Sequence, residues 1–379
     1  MEPQLQQTDS TPLAPKGAGR RRKRSSLAGL IDGFAWPLSA SHYAGLVNPL
    51  WSIHTLQARV EKIAKETADA CTLTLQPGRS WRRHRSGQYV HVGVKIDGIE
   101  HTRAYSISSP PERVDGRIAI TVKAAPGGRV SQYLVHELQA GAYLTLSLPQ
   151  GDFVLPDGAP QSLLFITAGS GITPVMSMLR SLERRSATPD IVHLHYAPRS
   201  EDVIFGAELE QMATRRPHYR LQLLYTRERH AAARHFGADQ LEELCSDWRD
   251  RDAYACGPQG LLDTVEAGWK HAGTGRRLSI ERFRAAVAKP PEGAGGGCVR
   301  FAASRRNCNA DAVTSLLFVA ESAGLNPPNG CRMGICHSCT TTMLSGCVRD
   351  LRTNQLINEA GSSVQLCVCA AAGDVEPAL

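Results

Sequence analysis

The stretch Cys331-Arg-Met-Gly-Ile-Cys336-His-Ser-Cys339, followed after 27 intervening residues by Cys367, constrains this chain more than any other. Two sulfide-bridged irons need four thiolates, and C-x4-C-x2-C with a distant fourth cysteine is the spacing of a [2Fe–2S] site. One irregular loop then wraps three sulfurs around the cluster and a second element closes it. Gly334 and Ser338 are small enough for backbone N–H groups to approach the sulfides. The alternative, a structural zinc site, would pair C-x2-C with a second such pair or with H-x3-H. Cys369 lies two residues beyond Cys367 and shares its face in an extended strand, so spacing does not choose between them.

Around this loop, Val313, Leu316, Leu317 and Ala320 recur at helical spacing, which predicts a helix over Asp311 to Ala323 stopped by Gly324. Asn326-Pro-Pro-Asn-Gly330 cannot continue it. Strand-like runs stand at Val299 to Ala303 and Val364 to Val368. The last 80 or so residues therefore resemble a plant-type ferredoxin, which implies a β-grasp (α+β) sheet with one principal helix. The family's Leu-Cys pair, here Leu366-Cys367, implies metal ligands Cys331, Cys336, Cys339 and Cys367.

At 379 residues the chain has room for two or three domains, and 42% hydrophobic residues suffice for a core in each. Eleven cysteines, without a signal peptide or an apolar run of membrane-spanning length, predict a reduced cytoplasmic protein. Of the net charge of +7, residues 1–30 hold six basic side chains against two acidic ones, with Arg20 to Arg24 an unbroken basic run. The body lacks the basic excess of a nucleic-acid binder. The run reads as a solvated tail, with peripheral contact to an anionic membrane face as the sharper reading. Residues 1–52 form this tail and an apolar arm from Leu27 to Trp51.

Residues 53–155 read as an antiparallel β-barrel. Val90, Val92, Val94 and Ile96 alternate with Tyr89, His91, Gly93 and Lys95, which predicts a half-buried strand, and Asp97-Gly98 predicts a hairpin turn. Further strands are expected at Arg117 to Lys123 and Ala142 to Leu148. Arg103-Ala-Tyr105-Ser106 and Gly127-Gly-Arg-Val-Ser131-Gln-Tyr-Leu134, in this order, resemble the two flavin motifs of the ferredoxin–NADP reductase superfamily. The resemblance implies flavin contacts at Arg103, Tyr105, Ser106, Val122, Gly127, Gly128, Val130 and Ser131. Tyr105 would stack on the isoalloxazine, Ser106 would bond its reactive nitrogen, and Arg103 would fork onto a phosphate. The turn before the helix provides for a second phosphate, so FAD is expected over FMN.

Residues 156–288 alternate strand and helix, as an α/β nucleotide-binding domain with a parallel sheet does. Strands are expected at Ser162 to Thr167, Ile191 to Tyr196, Leu221 to Tyr225 and Asp252 to Cys256. Ala168-Gly-Ser-Gly-Ile-Thr-Pro174 sits on a strand-to-helix junction with Thr173 as expected N-cap, and would cradle a dinucleotide pyrophosphate through Thr167, Gly169, Gly171, Thr173 and Pro174. Cys256-Gly257-Pro258 resembles the superfamily's Cys-Gly-Pro motif, which implies a cysteine beside the nicotinamide, and Glu281-Arg-Phe283 its closing strand. Arg199, Arg227 and Arg229 follow the second and third strands and would receive a 2′-phosphate, so the donor is NADPH or NADH. Residues 289–297 form a Gly/Pro linker to a last domain at 298–379.

The order flavin, nucleotide, iron–sulfur resembles reductase components of oxygenase and desaturase systems. It implies an NAD(P)H oxidoreductase, with Ser106 and Cys256 at the reacting centre and a separate terminal oxygenase or membrane fatty-acid desaturase as acceptor. The rival readings are a free-flavin or ferric reductase and a redox-sensing regulator.

Overall fold

The computed structural model describes residues 47–379 apart from 53–54, 157, 159, 185–188, 228–234, 284–289, 331 and 335–336. The basic run, most of the apolar arm, Arg229, Cys331 and Cys336 lie outside the described residues. The arm's last turn, Pro49–Trp51, is capped by Asn48 and lies on the barrel, where Leu50 O accepts the Arg79 N–H at 3.1 Å.

The barrel comprises β1 (Gln57–Thr67), β2 (Ala70–Pro77), β3 (Tyr89–Ile96), β4 (Ile99–Ser106), β5 (Ile118–Lys123), helix α1 (Arg129–His136) and β6 (Tyr143–Leu146). The antiparallel order is β4-β3-β6-β1-β2-β5, and the bridge Ile107↔Ile120 joins its two ends into a closed barrel. Asp97 and Gly98, at φ +50° and +81°, make the expected hairpin, since that turn needs left-handed backbone at both centres. The expected half-burial of β3 is corrected: Tyr89 and His91 are buried as well. The segment after β6 covers that face, with Tyr89 and Gln150 exchanging both backbone hydrogen bonds.

The second unit runs β7 (Ser162–Ala168), α2 (Ile172–Arg184), β8 (Asp190–Ala197), α3 (Gly206–Arg215), β9 (Tyr219–Tyr225), α4 (Ala238–Leu244), β10 (Asp252–Cys256), α5 (Gln259–His271) and β11 (Leu278–Glu281). All five strands are parallel in the order β11-β10-β7-β8-β9. Chain direction across the sheet reverses between β7 and β10, so the crevice for a ligand opens beyond their C-terminal ends. Apolar cores cover both faces, one with Phe165, Met178 and Leu182, the other with Ile166, Leu262 and Trp269. Helix α2 also grips the barrel: Ser177 Oγ donates to Ser109 O and Arg180 Nη1 to Ser108 O, each at 2.7 Å.

The third unit is β12 (Gly297–Phe301), β13 (Arg306–Ala310), α6 (Leu316–Ser322), β14 (Thr340–Asp350), β15 (Leu356–Ile357), β16 (Ser363–Gln365) and β17 (Cys369–Pro377). Its main sheet, ordered β13-β12-β17-β14-β15, carries α6 on one face in a β-grasp, with Leu316, Leu317 and Ala320 packed on Phe301 and Val348. Helix α6 starts five residues later than the spacing predicts. Asp311 Oδ1 takes the Val313 and Thr314 N–H groups into a turn, and Ser315 Oγ caps the helix instead.

One buried polar cluster runs through the parallel sheet. Thr167 Oγ1 lies 2.8 Å from His193 Nε2 and 2.7 Å from His195 Nδ1, and His193 Nδ1 lies 2.8 Å from Tyr219 Oη. Burial holds both imidazoles neutral, His193 well below the ordinary 6.5 and His195 down to about 4. The unfolded chain therefore binds protons that the folded chain refuses as pH falls below 6.5. Stability of this unit should drop between pH 6.5 and pH 4, by up to about 1.4 kcal/mol per pH unit for each histidine. Urea unfolding of His195→Gln should show a shallower pH slope above pH 5 than the parent; equal slopes would refute the assignment.

Candidate functional site

Where the three units meet, a cleft of about 680 Å³ is lined by Tyr89, Ala104 and Ser106 of the barrel, Glu281 at the end of β11 and Phe283 just past it, and Met333 of the cysteine loop. Ser106 Oγ donates to Glu281 Oε2 at 3.4 Å, and Cys256 Sγ lies 4.0 Å from the same oxygen. Desolvation pushes the Glu281 carboxyl up to about 8 and the Cys256 thiol well above its ordinary value. At neutral pH the carboxyl is mostly protonated and the thiol fully so. A cleft with the Ser106 hydroxyl and the Glu281 acid in its wall, and the Cys256 thiol buried just behind Glu281, suits an aromatic ring system that exchanges hydride.

Arg103 and Tyr105 alternate along β4 with the cleft-lining Ala104 and Ser106. Tyr105 packs against the barrel core, and burial raises its phenol. Arg103 Nη1 donates to Thr102 O at 2.7 Å and to Asn329 Oδ1 of the third unit at 3.3 Å. Burial and the nearby Arg332 hold its guanidinium down to about 10. A half-buried cation beside another cation fits an anionic group, as the flavin phosphate requires.

Three expected contacts take another form. The side chains of Val122 and Val130 belong to the barrel core, which leaves only their main chain for a ligand. Ser131 Oγ is used within its own turn, accepting from Ala125 N–H at 3.0 Å and donating to Gly128 O at 3.1 Å. The hydroxyl thus shapes the turn, while the first N–H groups of α1 lack a side-chain cap at Gly128. Gly127, at φ +68°, supplies the left-handed step before it.

At the crevice of the parallel sheet, Gly169 to Gly171 form a tight turn leading into α2. A Cβ on Gly171 would stand 2.1 Å from Cys256 O, so only glycine lets this turn lie against Cys256-Gly257. Pro258 precedes α5 as its N-cap residue. Thr173 is corrected from cap to second helical residue, its Oγ1 donating to Ser170 O at 3.0 Å, and Pro174 follows it inside the first turn. Thr167 turns its hydroxyl inward to the two histidines and offers a ligand only its main chain. Arg199 and Arg227 sit past β8 and β9, with the Arg227 N–H on Pro198 O at 2.9 Å and Arg199 3.6 Å from Glu201.

Of the four cysteines expected to hold the cluster, Cys339 and Cys367 are among the described residues and are brought together. The Cys367 thiol hydrogen-bonds Cys339 and, as the largest influence, holds that thiol below its ordinary value. A sulfur poised to ionise beside a second sulfur fits metal ligation. Cys369 is buried in β17, its thiol pushed up to about 12 by burial. Arg332, Gly334 and His337 all adopt left-handed backbone, as a loop wrapped around a small object must. Glu281 and Met333 were missed as site residues, although Glu281 ends a strand next to the switch point, where parallel sheets place their chemistry.

Comparison with known proteins agrees with this geometry. Residues 57–155 match the oxidoreductase FAD-binding domain model, 165–267 the oxidoreductase NAD-binding domain, and 301–372 the 2Fe-2S iron-sulfur cluster binding domain. An NADPH oxidoreductase of Mycobacterium tuberculosis is 44% identical over 94% of this chain and 93% of its own length. The glycine betaine monooxygenase reductase subunit of Pseudomonas aeruginosa is 30% identical over 88% of this chain and 98% of its own. The fold is that of phthalate dioxygenase reductase, at a TM-score of 0.61 and 24% identity over 86% of this chain and 98% of that one. The chain belongs to the ferredoxin–NADP reductase superfamily, as an NAD(P)H oxidoreductase that carries FAD and a C-terminal plant-type [2Fe–2S] domain.

Proposed function

We infer that the protein takes electrons from NAD(P)H in the cleft above Ser106 and Glu281 and delivers them, through its cysteine loop, to a separate terminal oxygenase or fatty-acid desaturase. The observation that carries this is the meeting of all three units at one cleft, with Met333 of the cysteine loop in its wall. When bound, a flavin accepts two electrons as hydride and passes them singly to a cluster that takes one at a time.

The chain's own part is placement. Gly171 and Cys256-Gly257 hold the nucleotide turn against the floor of the cleft, Ser106 and Glu281 offer a hydrogen-bonding edge there, and Cys331, Cys336, Cys339 and Cys367 are the proposed cluster ligands. The oxygenase partner rests on relatives named as monooxygenase reductase components. The desaturase alternative rests on the apolar arm and on the basic run, which would attract the protein to an anionic membrane.

Cys336→Ser should abolish cluster absorbance and cytochrome c reduction while NADPH-driven ferricyanide reduction persists. Equal loss of both activities would contradict a relay of separable centres. Turnover with a purified oxygenase or with desaturase-containing membranes, set against turnover with free flavin, tests the acceptor class.

Glu281, raised to about 8, should impose an inflection near that pH on flavin reduction in stopped-flow traces, and Glu281→Gln should remove it. Persistence of the inflection in the variant would assign it elsewhere. Arg227→Ala should raise KM for NADPH more than KM for NADH, by about tenfold in ratio; an unchanged ratio would remove Arg227 from 2′-phosphate recognition.

A further inference from the structure

We propose that Asn329 and Arg332 of the ferredoxin domain complete the site for the FAD diphosphate, so that binding the flavin also holds this domain on the barrel. The inference rests on the FAD reading above and goes beyond it by giving a second domain a share of the cofactor.

On β4, His101 and Arg103 lie two residues apart and so share a face, and both are influenced by Arg332 from the other domain. Arg129, the first residue of α1, also acts on His101. The acidic groups here are Glu321, paired with Arg332, and Asp97, paired with Arg129 at 2.5 Å. Among the described residues no carboxylate ion-pairs with Arg103. His101 is 8% exposed, yet among the described residues its Nε2 has no hydrogen-bond partner, and neither has the buried Nε of Arg332.

Three arginines against two carboxylates leave a positive excess, with two unused buried polar atoms and the uncapped N-terminus of α1 beside it. Buried polar atoms left without partners are costly. A diphosphate brings the missing charge and acceptor oxygens, and arginine forks match phosphate oxygens. Arg103 already reaches across the domain boundary to Asn329 Oδ1 at 3.3 Å, so a ligand on Arg103 lies within reach of both domains. Any ligand that touches both domains binds the docked arrangement better than the undocked one, and by reciprocity stabilises it.

The test uses full-length protein stripped of flavin, titrated with FAD, FMN and riboflavin and followed by flavin fluorescence. Arg332→Gln should weaken FAD by about tenfold or more, FMN by less, and riboflavin, which carries no phosphate, not at all. Iron content and the cluster's visible spectrum serve as controls, and if Arg332→Gln loses iron then Asn329→Ala carries the same comparison. Proteolysis within the 289–297 linker should be slowed by FAD but not by riboflavin, and the protection should diminish in the variants. Unchanged FAD affinity, or equal weakening of FAD and riboflavin, overturns the proposal. Failure of the parent protein to bind any flavin would instead overturn the reading on which it rests.

Discussion

The carbonyls of Ser108 and Ser109, just past the flavin strand, are where barrel and nucleotide domain become one body. Ser109 O accepts from Ser177 Oγ of α2 and lies 3.0 Å from His84 Nε2, while Ser108 O accepts from Arg180. Arg180 is itself held by a fork onto Glu208, at 2.8 and 2.6 Å, and lies 4.8 Å over the ring of Phe205. A guanidinium fixed on three sides in half-buried surroundings is a stiff strut. It sets the angle at which the helix following the nucleotide turn meets the strand that carries Ser106. These contacts tie the two pieces of backbone that flank the cleft to each other.

The site is built largely from strand ends and from the turns that follow them. Ser106, Cys256 and Glu281 are the last residues of β4, β10 and β11, and Gly169 directly follows β7. Such positions have main chain anchored on one side by a hydrogen-bonded sheet and free on the other. Polar and strained features can gather there without disturbing the cores beneath. The same economy explains why Val122, Val130 and Thr167 turn inward: they stand within or at the packed sides of these elements, where side chains serve the fold.

Much of this was legible in the sequence wherever one local rule governs. The Asp97-Gly98 hairpin needs two left-handed residues, the Gly-rich turn follows an apolar strand, and the cysteine spacing leaves few alternatives. What escaped was set by competition between neighbours. Asp311 and Ser315 can each cap a helix, and periodicity through Val313 does not say which wins. Thr173 has a cap's chemistry but sits inside its helix, because the turn before it had already begun to coil. Ser131 and Thr167 have hydroxyls that suit a ligand, and only the fold shows those hydroxyls engaged by Ala125 and by two histidines. Glu281 was read as part of a strand, and its approach to Ser106 spans 175 residues that no local pattern connects.

Gly171 separates the nucleotide turn from the Cys256-Gly257 turn by no more than a hydrogen atom. Such close backbone approach leaves no room for a side chain between the two turns. Any side chain at position 171 would wedge the two turns apart and shift Cys256, whose thiol faces Glu281. The geometry of the cleft floor is thus tied to the absence of a single methyl group at Gly171.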